Sequence, residues 1–261
     1  MGASKLWQSA QRLFSRCQSG LGAGLDLLFV PECAVCRGEL EQLGLCPACR
    51  SRLFPPWGPL CRQCAAPVPS HDAHRGDCVR CRKRDFHFDS AIALGEYTGL
   101  LRETVLRLKR PRQEALARAL ADLLSDQLAT PSGGQHNRQD PPDVICPVPM
   151  HWTRRLVRGV NSPDLLAEQV AQRLGIPFAP GLLVSRRKLR RQASLSQTER
   201  FRNVRHAFSL GGGYVLKSAR VLLIDDILTT GATCSEAART LKRAGATTVA
   251  VAVLGRAQSE V

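Results

Sequence analysis

The chain has 261 residues, enough for one α/β domain and a small accessory module. Hydrophobic residues make up 44%, and no apolar run approaches the roughly 18 residues of a membrane span, so a spanning helix is not expected. A net charge of +15 points to a polyanionic partner: nucleic acid, an anionic membrane, or a multiply phosphorylated small molecule.

Residues 4–30 pattern as an amphipathic helix, with Leu6, Trp7, Ala10, Leu13 and Phe14 on one side. Such a helix packs on its own domain or lies on a membrane surface. Trp7, Gln8 and Ser9 follow the first lysine where a signal peptide would have its apolar core, so a cytoplasmic location is expected.

Residues 31–86 form a cysteine module. Eight of the eleven cysteines fall in four Cys-x-x-Cys pairs: Cys33/Cys36, Cys46/Cys49, Cys61/Cys64 and Cys78/Cys81. Such a pair brings two thiolates to one metal from a tight turn, and two pairs complete a tetrahedron. In a reducing compartment this spacing points to zinc rather than disulfides. Sequential pairing gives one site from Cys33, Cys36, Cys46 and Cys49 and a second from Cys61, Cys64, Cys78 and Cys81. An interleaved arrangement, as in RING-like modules, is the alternative, and His71 or His74 offers a substitute ligand. Four thiolates leave no open position, so both sites read as structural. Zinc loading lowers the net charge to about +11, still strongly basic. Cys17, Cys146 and Cys234 have no partner at metal spacing, and Cys146 reads as a buried small hydrophobe. The run Arg80, Arg82, Lys83, Arg84 closes the module as a solvated knuckle or a nucleic-acid contact.

The character changes in residues 87–261. Ser90–Tyr97 predicts a strand, and 100–109 and 112–128 predict helices broken at Pro111. Thr130–Pro142 is linker-like. A buried strand is expected over Val144–Pro149, then a loop with Arg154, Arg155, Arg158, Gly159 and Asn161. A helix over Asp164–Leu174 closes at Gly175. A short strand near Leu182–Ser185 and a polar stretch from Arg186 to Asn203 follow. Strands alternating with helices indicate a parallel doubly wound α/β sheet, which binds ligands at the carboxyl ends of its strands.

Residues 221–233 read Val-Leu-Leu-Ile-Asp-Asp-Ile-Leu-Thr-Thr-Gly-Ala-Thr. The apolar run suits a strand buried on both faces. From Thr233 the pattern Ala237, Ala238, Leu241, with Gly245 beyond, suits a helix. The turn between them, Thr229, Thr230, Gly231, Ala232 and Thr233, lies where backbone N–H groups bind phosphate. Asp225 and Asp226 stand just before it. Two carboxylates beside a phosphate need hydroxyls or a metal, and a ribose 5-phosphate brings hydroxyls. A last strand covers Thr247–Leu254.

This motif resembles the 5-phosphoribosyl-1-pyrophosphate (PRPP) site of type I phosphoribosyltransferases. Following a multi-knuckle cysteine module, it resembles the ComF family, whose members combine a double zinc ribbon with such a domain. The resemblance runs from about residue 25 to residue 256. Cys146–Met150 with Arg155 and Arg158–Asn161 looks like the family's pyrophosphate loop, and Gln192, Leu195, Arg200, Asn203, Ala207 and Phe208 like its flexible loop. Val160-Asn161-Ser162-Pro163 stands where the family more often has Phe-Asn-Gln-Ala, which puts Ser162 in doubt but leaves Arg158 and Asn161 in place.

The resemblance implies that Asp225, Asp226 and Arg158 serve the transfer chemistry. Arg155, Asn161, Arg200 and the turn would bind PRPP, with Mg²⁺ arriving beside the pyrophosphate. It implies a role in DNA uptake or handling, with single-stranded DNA and the uptake machinery as partners. Two other readings follow: a phosphoribosyltransferase acting on a small acceptor in nucleotide metabolism, and a non-catalytic nucleotide sensor or single-strand-binding module. The zinc module is the candidate for the hood that would choose an acceptor. Aromatics at 5% are sparse for a stacking platform.

Overall fold

The computed structural model describes residues 30–69, 78–82, 84–130, 141–150, 161–187, 189 and 196–258. The expected helix over 4–30, Cys17, His71, His74 and the arginines from 154 to 158 lie outside them.

Four parallel strands form the main sheet: β1 (Ser90–Glu96), β2 (Val144–Pro147), β5 (Arg220–Leu228) and β6 (Thr248–Arg256), in the order β1-β6-β5-β2. The two central strands, β6 and β5, carry the longest apolar runs, as burial on both faces requires. Strand β5 continues past its apolar run to Leu228, because Ile227 and Leu228 pair with Gly255 and Arg256 of β6.

Side chains alternate across the sheet and separate two cores. Leu222, Ile224, Ala252 and Leu254 face one layer of helices: α3 (Gly99–Leu108), α4 (Glu114–Ala129) and α5 (Ser162–Leu174). Val221, Leu223, Val249, Val251 and Val253 face the other layer. There α7 (Ala232–Arg243) packs beside an antiparallel pair, β3 (Leu183–Ser185) and β4 (Phe208–Leu210). Gly175 closes α5 with φ 68°, the left-handed cap expected of it.

The polar stretch from Arg186 to Asn203 runs into a helix, α6 (Gln197–Val204). Its signal is a capping box: Ser196 Oγ accepts from the Glu199 N–H, and the Glu199 carboxylate accepts from the Ser196 N–H. Glu236 on α7 accepts the His206 N–H at 2.7 Å and pairs with Arg239, which holds the end of α6 against α7.

The cysteine module is an internal repeat. Each half has a knuckle closed by an antiparallel bridge, Glu32–Glu39 in the first and Leu60–Pro67 in the second. The residue after each knuckle, Arg37 or Ala65, has positive φ in a corresponding position. A short helix then follows the third cysteine: α1 (Pro47–Leu53) after Cys46, and α2 (Val79–Arg82) after Cys78. The first half packs Leu53 and Phe54 with the α3–α5 layer, and the second packs Ala65 and Phe86 with the α7 layer. Both halves meet the edge strand β1. The Arg62 carbonyl accepts the Ala91 N–H at 3.1 Å, and Gly95 lies beneath the Leu53 carbonyl and the Phe54 ring.

Candidate functional site

A cleft of about 270 Å³ opens at the carboxyl ends of β2 and β5. Asp225 and Asp226 both line it, but alternation along β5 sends them to different neighbours. Asp225 turns toward α7, where the Cys234 thiol donates to Oδ2 at 3.7 Å. Asp226 turns toward the other layer and meets Lys109, at the end of α3, with Nζ 2.9 Å from Oδ2. The Asp226 N–H donates to Asp225 Oδ1 at 2.8 Å. Burial, reinforced by the neighbouring Asp226 carboxylate, holds the Asp225 carboxyl well above the usual range. Burial also pushes the Cys234 thiol up, with Asp225 adding to it.

The turn after β5 starts helix α7 with Gly231 as its N-cap, at φ 79° and ψ −1°. The first intrahelical bond runs from the Ser235 N–H to the Gly231 carbonyl, so the amides of Ala232 to Cys234 precede the helical ladder. A glycine is required here twice over. The backbone is left-handed, and a Cβ would sit 2.6 Å from Phe86 Cε1. Thr229, Gly231, Ala232 and Thr233 line the cleft. Thr230 does not: it is buried, and its Oγ1 accepts the Ala232 N–H at 3.4 Å, shaping the turn from within.

Asn161 reaches the same cleft from the start of α5, with Nδ2 donating to Asp164 Oδ1 at 2.7 Å. Val148, Leu189 and Phe208 add an apolar wall. Arg200 sits on α6, away from the cleft lining, and Arg155 and Arg158 lie outside the described residues. No described residue of the cysteine module lines this cleft, and Phe86 at the module's end packs against Gly231 of the turn. Sequence reasoning missed Lys109, whose only signal was its place at the end of a helix that follows an edge strand.

The cysteines group sequentially: Cys33, Cys36, Cys46 and Cys49 in one cluster, Cys61, Cys64, Cys78 and Cys81 in the other. Sulfurs around a tetrahedral zinc, with Zn–S near 2.3 Å, stand about 3.8 Å apart. Here Cys36 and Cys46 are 3.8 Å apart, Cys61 and Cys81 3.7 Å, and Cys64 and Cys78 3.5 Å. The Cys46 N–H points at Cys33 Sγ and the Cys49 N–H at Cys46 Sγ, both at 3.3 Å, as donors to thiolates. Contact with Cys61 and Cys64, then burial, pushes the Cys81 thiol far up, while contact with Cys64 and Cys81 pulls Cys61 down. Thiols this close share one negative charge until a divalent cation balances the rest. Both donor sets fit a structural zinc.

One arginine from the α/β domain grips each half of the module. Arg107, two residues before Lys109, donates to the Ala34 and Val35 carbonyls of the first knuckle at 2.7 and 2.8 Å. Arg256, only 3% exposed, donates through Nε to the Cys64 carbonyl at 2.8 Å. Its Nη1 donates to the carbonyls of Leu228, Thr229 and Ala257. Farther along, the Arg84 guanidinium lies 5.2 Å over the Phe201 ring of α6, and the His87 N–H donates to Ser235 Oγ on α7 at 3.1 Å.

Comparison with known proteins matches the same parts. A double zinc ribbon domain model covers residues 24–82, and a phosphoribosyl transferase domain model covers residues 165–260. Competence protein F of Haemophilus influenzae is 32% identical over 86% of this chain and 96% of its own length. The chain belongs to the ComF family. Another relative of this ComF-family chain is DNA utilization protein YhgH of Salmonella typhimurium, 34% identical over 88% of this chain and 99% of its own. Competence protein ComFC of Bacillus subtilis is 28% identical over 77% and 79%. Among solved structures, the glutamine PRPP amidotransferase from B. subtilis aligns with 57% of this chain and 30% of its own at 25% identity, with a TM-score of 0.37. Among the described residues of this ComF-family chain, no helix is long and apolar enough to cross a membrane.

Proposed function

We propose that this ComF-family protein binds PRPP at the β5–α7 turn and acts in the uptake or handling of DNA. One observation carries the first half: Asp225 and Asp226 share a single cleft with the amino-terminal turn of α7. The turn takes the 5-phosphate, and the carboxylates accept from the ribose hydroxyls. The carboxylates and phosphate oxygens together are the hard oxygen donors that Mg²⁺ prefers, and Mg²⁺ would neutralise the pyrophosphate. Asn161 would orient the ligand, with Arg155, Arg158 and Arg200 as further anion contacts. The names competence protein F and DNA utilization protein, borne by relatives aligned over nearly their whole length, support the second half. The surplus of basic residues agrees with a nucleic-acid partner. Two cysteine clusters whose sulfurs fit zinc agree with a reducing, cytoplasmic setting.

Transfer of phosphoribose to an acceptor is the second reading, favoured by the apolar wall of Val148, Leu189 and Phe208, which suits a planar base.

Calorimetric titration with PRPP and Mg²⁺ tests the ligand. Replacing both Asp225 and Asp226 by Asn is expected to weaken binding at least about tenfold, or roughly 1.4 kcal/mol. Unchanged affinity with a normal melting profile would remove the ribose contacts assigned to them.

A further inference from the structure

The second cysteine cluster and the phosphate turn share one side chain. Arg256 ends β6, where it pairs in register with Leu228 of β5. One end of its guanidinium holds the Cys64 carbonyl, inside the second cluster, and the other holds the carbonyls of Leu228 and Thr229, where the turn begins. It donates to four neutral carbonyls, has the Cys64 and Cys78 side chains of the cluster close enough to act on its charge, and is 3% exposed. A guanidinium buried so deeply needs a nearby negative charge. Four thiolates around Zn²⁺ carry a formal charge of about −2, whereas the same four sulfurs without metal share about one negative charge. The loaded cluster therefore supplies both the fixed carbonyl and the counter-charge that keep Arg256 in place.

We propose that Arg256 is a positioning residue which makes the geometry of the phosphate turn depend on metal in the second cysteine cluster. Without that metal the Cys61–Cys64 knuckle loosens, Arg256 loses its anchor, and the Leu228 and Thr229 carbonyls lose its guanidinium, the Ala257 N–H at 3.0 Å remaining on Leu228. The turn amides then no longer converge on one anion. Phe86 works in the same direction, since it packs against both the second cluster and Gly231. The first cluster connects elsewhere among the described residues: Arg107 ties it not to the turn but to α3, on the opposite side of the sheet, two residues before Lys109 and its partner Asp226. The consequence for ligand affinity rests on the PRPP reading above; the coupling itself does not.

The test uses the full chain and four variants: Cys78→Ser for the second cluster, Cys36→Ser for the first, Arg256→Gln and Arg256→Lys. Metal analysis gives the zinc content, and hydrogen exchange with mass spectrometry reads amides 228–234 without any ligand. C78S is expected to raise exchange across the turn at least about tenfold, while C36S changes it less than about twofold. R256Q is expected to keep both zinc ions yet show the same rise, with R256K recovering part of the protection. PRPP with Mg²⁺ should bind C78S and R256Q at least about tenfold more weakly than the parent. Unchanged turn protection in R256Q overturns the proposal, and this holds even where C78S fails to fold. A turn that loosens equally in C36S and C78S overturns it too, because general destabilisation then explains both. Failure of the parent to bind PRPP sinks the ligand reading alone, since the exchange comparison decides the coupling independently.

Discussion

Lys109 and Asp226 form an ion pair at 2.9 Å across the mouth of the cleft, joining the end of α3 to the end of β5. The two side chains are only 26% and 16% exposed, so the pair is better shielded from solvent than a surface bridge. It lets two adjacent carboxylates coexist by neutralising one of them.

Lys109→Met should therefore weaken PRPP binding at least about fivefold, or roughly 1 kcal/mol, because the site loses its one described cleft-lining cation. The melting temperature should also fall, since Asp226 is left uncompensated. Calorimetry and thermal unfolding check both. A variant with full affinity would place Lys109 outside the ligand's reach.

Asp225→Asn separates stability from function. Burial and Asp226 raise the Asp225 carboxyl in the folded protein above its unfolded value of about 3.9. Ionising it thus disfavours the folded state, and stability is lost as pH rises through the interval between those two values. The Asn variant escapes that loss. Its melting temperature should match the parent near pH 4 and exceed it increasingly toward neutrality, while PRPP affinity drops. Equal melting curves across that range would contradict the assignment.

Gly231→Ala should cost about 1–3 kcal/mol in a denaturant titration, from strain at φ 79° and collision with Phe86. Phe86→Leu in the same background should recover the collision but not the strain. The two changes should thus be non-additive, as expected of residues in contact. Phosphate binding should remain impaired in both variants.

The basic surface makes a separate prediction. Single-stranded DNA affinity should fall steeply with salt, each phosphate contact releasing a counterion. Fluorescence anisotropy over a salt series, with and without PRPP and Mg²⁺, locates the surface. Competition places it at the cleft; steep salt dependence without competition places it on the second ribbon around Arg80, Arg82 and Arg84. No binding at low salt leaves a small-molecule protein.

Much of this architecture was legible in the residues because the signals were local. The Val-Leu-Leu-Ile run suits a strand buried on both faces, and the cysteine spacing points to two four-sulfur clusters while leaving open which pairs combine. Gly175 marked a helix end. The capping box at Ser196 and Glu199 was equally local and was passed over because the surrounding stretch is so polar. The contacts of Lys109 and Arg256 could not be read in this way. Lys109 meets an acid more than about a hundred residues away, and Arg256 bonds to carbonyls, which leave no trace in side-chain patterning. Nor did spacing reveal that Phe86, at the end of the cysteine module, packs against Gly231 of the β5–α7 turn, since that depends on how the ribbons lie against β1.

The bond from the Ala91 N–H to the Arg62 carbonyl has a bearing on solubility. Strand β1 is an outer strand of the sheet, apolar from Ala91 to Leu94, and unpaired strands of that kind recruit other chains. The ribbon that follows Cys61 lies over that flank as a cover, held in shape by its four sulfurs. A cell short of zinc would thus face aggregation of this protein through β1, and the metal would act as a guard against self-association.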